Sequence, residues 1–263
     1  MGSVVENRNH AILVVSFGTT HIETCTKTLD AIESDIQRHY PSYSLYKAWT
    51  NTFIRNKFKK KYGVHIFSIA EAIERMHKDG ITHVFVQPTY VLEGLEFESM
   101  KKEIALYCHL FTEIKIGSPL LSSAQDIQSV SDILSSSWDL SAHEAIVYMG
   151  HGTEHNSNTV YSLLNKKLSD KGKHNIIVGT MCASPTLTDV IKTLKEQNIQ
   201  RIFLAPLMIV AGSHAINNLA GDRPDSWKNL LEAEGYEVHC LLKGLGEYDE
   251  IRQIFSNHIA NNI

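Results

Sequence analysis

Cysteine is scarce in this sequence, and the four present stand far apart, at positions 25, 108, 182 and 240. They form no CxxC pair and no zinc-ribbon spacing, which excludes a disulfide scaffold or a thiolate zinc site. A reducing cytoplasm is the simplest expected compartment. No apolar run reaches the length of a membrane span, so no membrane partner is expected. The opening MGSVVENRNH has no cationic flank leading into a long apolar stretch, and no secretory leader is expected from it. Positive charge is not in excess. Lys and Arg number 25 against 29 Asp and Glu, a net of −4, whereas a generic nucleic-acid binder is basic. There is no GxGxxG, no Walker lysine and no GxSxG elbow, so neither a nucleotide cofactor nor a serine nucleophile is expected.

What remains is ordinary globular composition, 43% hydrophobic and 21% charged over 263 residues. That length suits one large domain or two modest ones. The order of elements is an alternation. AILVVSFG, Ala11 to Gly18, is a continuous apolar run ended by glycine, as a strand buried on both faces should be. Ile22, Cys25, Leu29, Ile32 and Ile36 then recur near helical spacing. Further strands are expected at SLYKAW, ITHVFVQPTYV and TEIKIGSPLL, with helices between and a last one over 124–137. The polar stretch SSWDLSAHE, 136–144, is the candidate boundary, dividing the chain into 1–140 and 141–263. The alternation then restarts with AIVYMGHGT, HNIIVGTM, IQRIFLAPLMIVAG and YEVHCLL as strands. A closing helix follows, and it is expected to pack back on the first domain.

The two halves resemble each other. Ile81 laid on Ile199 sets an offset of 118, which also pairs Phe85 with Phe203, Pro88 with Pro206 and Gly94 with Gly212. Gly18 laid on Gly152 sets an offset of 134, which pairs Thr19 with Thr153 and His21 with His155. Two matches in the same order imply a duplication. The expected fold is α/β, with two similar Rossmann-like domains, each a central parallel sheet flanked by helices, facing a cleft. Ligands in such folds bind beyond the carboxyl ends of the strands.

Where the halves differ, chemistry gathers. Phe17 becomes His151 and Glu96 becomes His214. His151, His214 and Glu96 are metal-capable, and two imidazoles with one carboxylate suit a divalent ion with open positions. The alternative for His151 is a hydrogen-bonding turn residue between Gly150 and Gly152. His155 reads as a solvated helix start and Cys182 as a buried thiol. The run Lys57, Lys59, Lys60, Lys61 reads as a solvated helix face, or else as an attractor of an acidic substrate. Trp49, Phe53, Tyr90, Phe97 and Met208 are bulky groups near the cleft loops that together would suit a flat apolar ligand.

AILVVSFGTTHIETC, VQPTYVLEGLEFE, VYMGHGTEH and LAPLMIVAGSHAINNLAGDRPDSWK together resemble the anaerobic cobalt chelatase family of cobalamin biosynthesis, itself similar in fold to the ferrochelatases. The resemblance runs from about Ala11 to the final helix. It implies a chelatase-like fold and ATP-independent insertion of Co(II) into sirohydrochlorin or its precursor state. The divalent metal is then a substrate, with Fe(II) and Ni(II) remaining open. A non-catalytic carrier of metal or tetrapyrrole and a periplasmic-type two-domain solute-binding protein are the other readings. The family's His, Glu and His fall on His151, Glu96 and His214. Some relatives carry His where this chain has Tyr90. The tetrapyrrole would lie against Ser16, Phe17, Gly18, Thr19 and Tyr90, with Arg55 meeting its carboxylates. Which group takes the pyrrole protons, and the oligomeric state, are left open.

Overall fold

A computed structural model describes residues 9–263; most of the N-terminal stretch read above for a leader, through Arg8, lies outside the described residues. The chain divides into two compact units. The first runs up to Leu120 and resumes at Gly246; the second is Leu121–Leu245.

In the first unit the elements are β1 (His10–Ser16), α1 (Ile22–Lys27), α2 (Leu29–His39), β2 (Ser44–Trp49), α3 (Thr52–Tyr62), α4 (Ile69–Lys78), β3 (His83–Pro88), α5 (Leu95–Ala105) and β4 (Glu113–Ile116). The strands form one parallel sheet in the order β2-β1-β3-β4. β1 lies between two neighbours and is buried throughout from Ala11 to Ser16, which is why it reads as an unbroken apolar run. α4 covers the sheet with Ile69, Ala72, Ile73 and Met76, spaced i, i+3, i+4, i+7, and starts in a capping box between Ser68 and Glu71. These residues join Leu13, Val15, Val86, Phe97 and Met100 in one core.

The second unit comprises α6 (Ala124–Ser136), β5 (Glu144–Gly150), α7 (Thr159–Asp170), β6 (Ile176–Thr180), α8 (Leu187–Glu196), β7 (Arg201–Pro206), α9 (Trp227–Ala233) and β8 (Glu237–Cys240). Its parallel sheet has the order β6-β5-β7-β8, the same topology as the first. Adding 134 to the bounds of β1 gives those of β5, and adding 118 to those of β3 gives β7. The α/β fold and its repeat are therefore physical as well as textual.

The change of unit falls at 120/121, ahead of the polar 136–144 stretch. That stretch is a loop docked inside the second unit: Trp138 donates its indole N–H to the Tyr148 hydroxyl at 2.9 Å and packs against Phe203. Its polarity is that of a surface loop. The final helix, α10 (Asp249–Ala260), lies in the first unit. It buries Ile251, Phe255 and Ile259, and its Arg252 donates to Asp35 of α2 at 2.6 Å. Among the described residues no helix is long and apolar enough to cross a membrane.

The amino ends of the strands carry a matched row in each unit. In the second, Glu144, Arg201 and Glu237 are in register on β5, β7 and β8, and Arg201 bridges both carboxylates at 2.9 and 3.0 Å. In the first, the same places hold His10, His83 and Glu113. The His10 and His83 rings stack with centroids 4.4 Å apart. Burial and the neighbouring His83 lower the His10 pKa, against a smaller upward pull from Glu113, which itself pairs with Lys115. A histidine lowered in the fold binds its proton more readily once unfolded. Stability is therefore full at neutral pH and is lost as pH falls from about 6.5. Melting curves at pH about 7.5 and about 5.5 should show a larger drop for wild type than for His10→Gln. Equal drops would remove this row from the acid sensitivity.

Candidate functional site

The carboxyl ends of β5 and β7, neighbours in the second sheet, hold the two nominated histidines. His151 follows β5 directly. Its turn is shaped from behind. A Cβ on Gly150 would stand 2.6 Å from the Tyr161 ring, and one on Gly152, at φ +79°, would stand 2.8 Å from Thr180 Oγ1. Only glycines let the backbone sit so close to α7 and β6. Tyr161 is buried, and its phenol is pushed up to about 12 by that burial. The N–H of Cys182 donates to the His151 carbonyl at 3.1 Å, so the loop after β6 braces the turn. The Cys182 side chain is exposed, where a buried thiol was expected; its loop lies outside the β6 core.

His214 is reached through the loop after β7, whose Leu207 N–H donates to Met149 O at 2.8 Å and extends the β5–β7 ladder. It stands immediately before a π-helical turn, Ala215–Leu219, in which Ala220 N–H reaches Ala215 O. Such turns concentrate at functional sites. The widened turn brings the His214 ring to 5.0 Å from the His151 ring, centroid to centroid, at 81°. Both side chains are exposed.

The hydrogen bonds of the two rings select their tautomer. Nδ1 of His151 lies 2.9 Å from the Gly152 carbonyl oxygen, which can only accept, so Nδ1 carries the proton. Nδ1 of His214 lies 3.2 Å from Oδ1 of Asn218, and donation there sets the same tautomer. Each Nε2 is left with a lone pair, the form in which imidazole binds a metal. Asn218 was not singled out in the sequence. Its place four residues after His214, one helical turn on, is the signal that could have found it.

Glu96 belongs to the first unit, exposed in the first turn of α5, where the helix N-terminus suits a carboxylate. Tyr90 is buried below that turn. Its phenol is pushed up to about 12 by burial, with a smaller contribution from Glu96 and Glu103, and its hydroxyl faces Thr50 Oγ1 at 3.4 Å. Ser16 is buried and accepts from Thr89 at 2.8 Å; Thr19 is buried and accepts from the His21 N–H. Gly18, at φ +98°, faces the Trp49 ring. Phe17 is exposed beside it. Arg55 is engaged within its unit, 3.5 Å from Glu71 and 3.1 Å from Thr52, and its Nε is buried without a partner. Glu71 is held below the usual carboxylate range chiefly by the Ser68 N–H. Among the described residues no three His, Cys, Asp or Glu side chains stand together as a metal-holding group; the two histidines are the pair that meets. A concave surface along the open β8 edge, lined by Phe203, Lys228, His239 and Cys240, holds none of the nominated residues.

Residues 10–263 match the family described as "Cobalt chelatase (CbiK)". The chain is 34% identical to the sirohydrochlorin cobaltochelatase of Salmonella typhimurium over 250 residues, covering 95% of this chain and 94% of that one. It is 29% identical to sirohydrochlorin cobaltochelatase CbiKC of Nitratidesulfovibrio vulgaris, covering 95% and 89%. Among solved structures, SirB from Bacillus subtilis with Fe3+ superposes with a TM-score of 0.67 at 15% identity, covering 96% of this chain and 95% of that one, a likeness of fold.

Proposed function

The chain belongs to the cobalt chelatase family, and from that we propose that it inserts Co(II) into sirohydrochlorin without ATP, with the divalent metal as substrate. The observation that carries the reading is the pair of imidazoles at the ends of β5 and β7, each with Nδ1 committed and Nε2 left as a donor.

In this mechanism His151 and His214 take the incoming ion through Nε2. Glu96 is the carboxylate of the same set, carried over from the family's motif. Two imidazoles without a thiolate hold a divalent ion firmly enough to collect it and loosely enough to release it to four pyrrole nitrogens. The ring loses two N–H protons as it accepts the metal. As the ion leaves, the lone pair freed on Nε2 of each imidazole can accept one of these two protons. Bending the macrocycle to aim its lone pairs at the ion would draw on binding along the rest of the ring. That ring is proposed to lie against the loop Ser16–Thr19 and Tyr90. The free thiols suit a reducing cytoplasm.

The test is anaerobic. Sirohydrochlorin and limiting Co2+, Fe2+ or Ni2+ are mixed with the protein, singly and in competition, and the metallated ring is followed by absorbance against the uncatalysed rate. Cobalt insertion above background, lowered by Glu96→Gln, is the expected result. Tight ring binding with no acceleration for any metal would replace the enzyme with a carrier, and faster iron or nickel insertion under competition would reassign the metal.

A further inference from the structure

α3 is fixed at both ends to the loop that follows β1. At its start, the Asn51 side chain caps Ile54 at 2.9 Å, and the Asn51 N–H donates to Phe17 O at 3.4 Å. At its end, the Tyr62 hydroxyl donates to Thr20 O at 3.3 Å and accepts from the Ile22 N–H at 3.4 Å. Helix and loop therefore present one continuous surface at the carboxyl end of the first sheet.

That surface has an unusual composition. Phe53 is 72% exposed, Ile22 41% and Phe17 38%. Phe53, Lys57 and Lys61 follow one another at i, i+4, i+8, a single stripe along α3. The Lys57 ammonium stands 5.9 Å from the Phe53 ring centroid, and that of Lys61 4.9 Å from the Tyr62 ring. Both lysines bear on His21 across the loop. Burial lowers its pKa first, and the two positive charges lower it further. Among the described residues neither lysine makes an ion pair, although every described arginine does. Like charges one helical turn apart repel. An apolar strip flanked by unpaired ammonium groups complements a flat apolar molecule edged with carboxylates.

We propose that Lys57 and Lys61, with Phe53 and Phe17, form a rim that reads the carboxylates at the edge of the tetrapyrrole and so selects heavily carboxylated rings over sparsely carboxylated ones. This rests on the chelatase reading above and assigns to the rim a selectivity that the histidines do not supply. Arg55, committed to Glu71, is not the principal anchor.

The experiment separates the two layers. Metal-free binding is followed by quenching of tryptophan fluorescence, with uroporphyrin as the heavily carboxylated probe and protoporphyrin as the sparsely carboxylated one. Lys57→Gln with Lys61→Gln should weaken uroporphyrin binding about tenfold, as loss of two exposed charge contacts implies, and flatten its dependence on salt. Protoporphyrin binding should hold. Lys57→Arg with Lys61→Arg should restore both affinity and salt dependence. Lys59→Gln, on roughly the opposite side of α3 at 3.6 residues per turn, should change nothing. In turnover the Gln pair should raise KM for sirohydrochlorin with kcat within about twofold. Wild-type affinity and salt dependence in the Gln pair would overturn the rim while leaving the chelatase reading in place. A wild type that binds neither uroporphyrin nor sirohydrochlorin would overturn both.

Discussion

His151→Ala is expected to lower cobalt insertion about 10²- to 10⁴-fold, the range for losing a group that acts in the reacting step. The fold should stand. The side chain is exposed, and among the described residues its one side-chain hydrogen bond runs to the neighbouring carbonyl and its one ring–ring contact is with His214. Truncation leaves no core cavity, so stability should change by less than about 1 kcal/mol, which for a chain of this size moves the melting temperature by roughly 2–4 °C. Tetrapyrrole affinity should survive, since the rim and the β1 loop do not include this imidazole. The decisive measurement pairs ring affinity with insertion rate above background on one preparation. Turnover close to wild type would remove His151 from the chemistry. Lost turnover with a collapse in melting temperature would instead make it a structural turn residue.

Gly18→Ala is expected to cost about 3 kcal/mol of stability. A Cβ there would lie 2.7 and 2.8 Å from carbons of the Trp49 ring, and the backbone is held at φ +98°. Placing a side chain in left-handed backbone costs about 1–2 kcal/mol, and overpacking a fixed aromatic ring about 1–3 more. Trp49 cannot yield easily, being 1% exposed and wedged edge-on against Phe58 at 4.9 Å. The melting temperature should fall by about 10 °C. Gly172→Ala isolates the clash: its φ is +73° but open space surrounds it, so only backbone strain, roughly 1 kcal/mol, should appear. Equal losses at the two positions would mean that Trp49 gives way.

Much of this architecture was legible because parallel strands sandwiched between helices must be apolar on both faces. AILVV and IVYM announce themselves for that reason, and the offsets of 134 and 118 fall on the strands they pair. Other features left a weaker trace. The break between α1 and α2 at Thr28 interrupts no apolar spacing, since Cys25, Leu29 and Ile32 stay buried across it. The π turn after His214 spans only five residues, too few for a change of period to show, so it is invisible in periodicity. The compact units divide at 120/121 while the polar stretch lies at 136–144, because α6 carries no mark of which core it serves; its buried Ile127, Val130 and Leu134 belong with the second unit. The row His10, His83, Glu113 was within reach, since the same offsets carry His10 to Glu144 and His83 to Arg201. Of the candidate site, the residue types and the meeting of two histidines were readable. The tautomer was not, because it depends on a carbonyl and on Asn218, neither of which announces a partner in sequence.

The return of α10 to the first unit has a consequence for the order in which the protein is made. Translation delivers Leu121–Leu245 whole before it delivers Asp249–Ala260. Every residue of the second unit is therefore synthesised before the residues that the first unit lacks. Until Ile251, Phe255 and Ile259 emerge, α2 has no cover for the face they bury, and Arg252 has not reached Asp35. Domains fold as units, usually in the order of synthesis, and an apolar face left waiting is what chaperones recognise. Here the half that is started first is completed last. A released chain that stops just short of α10 should protect the second sheet from proteolysis while the first remains open to it.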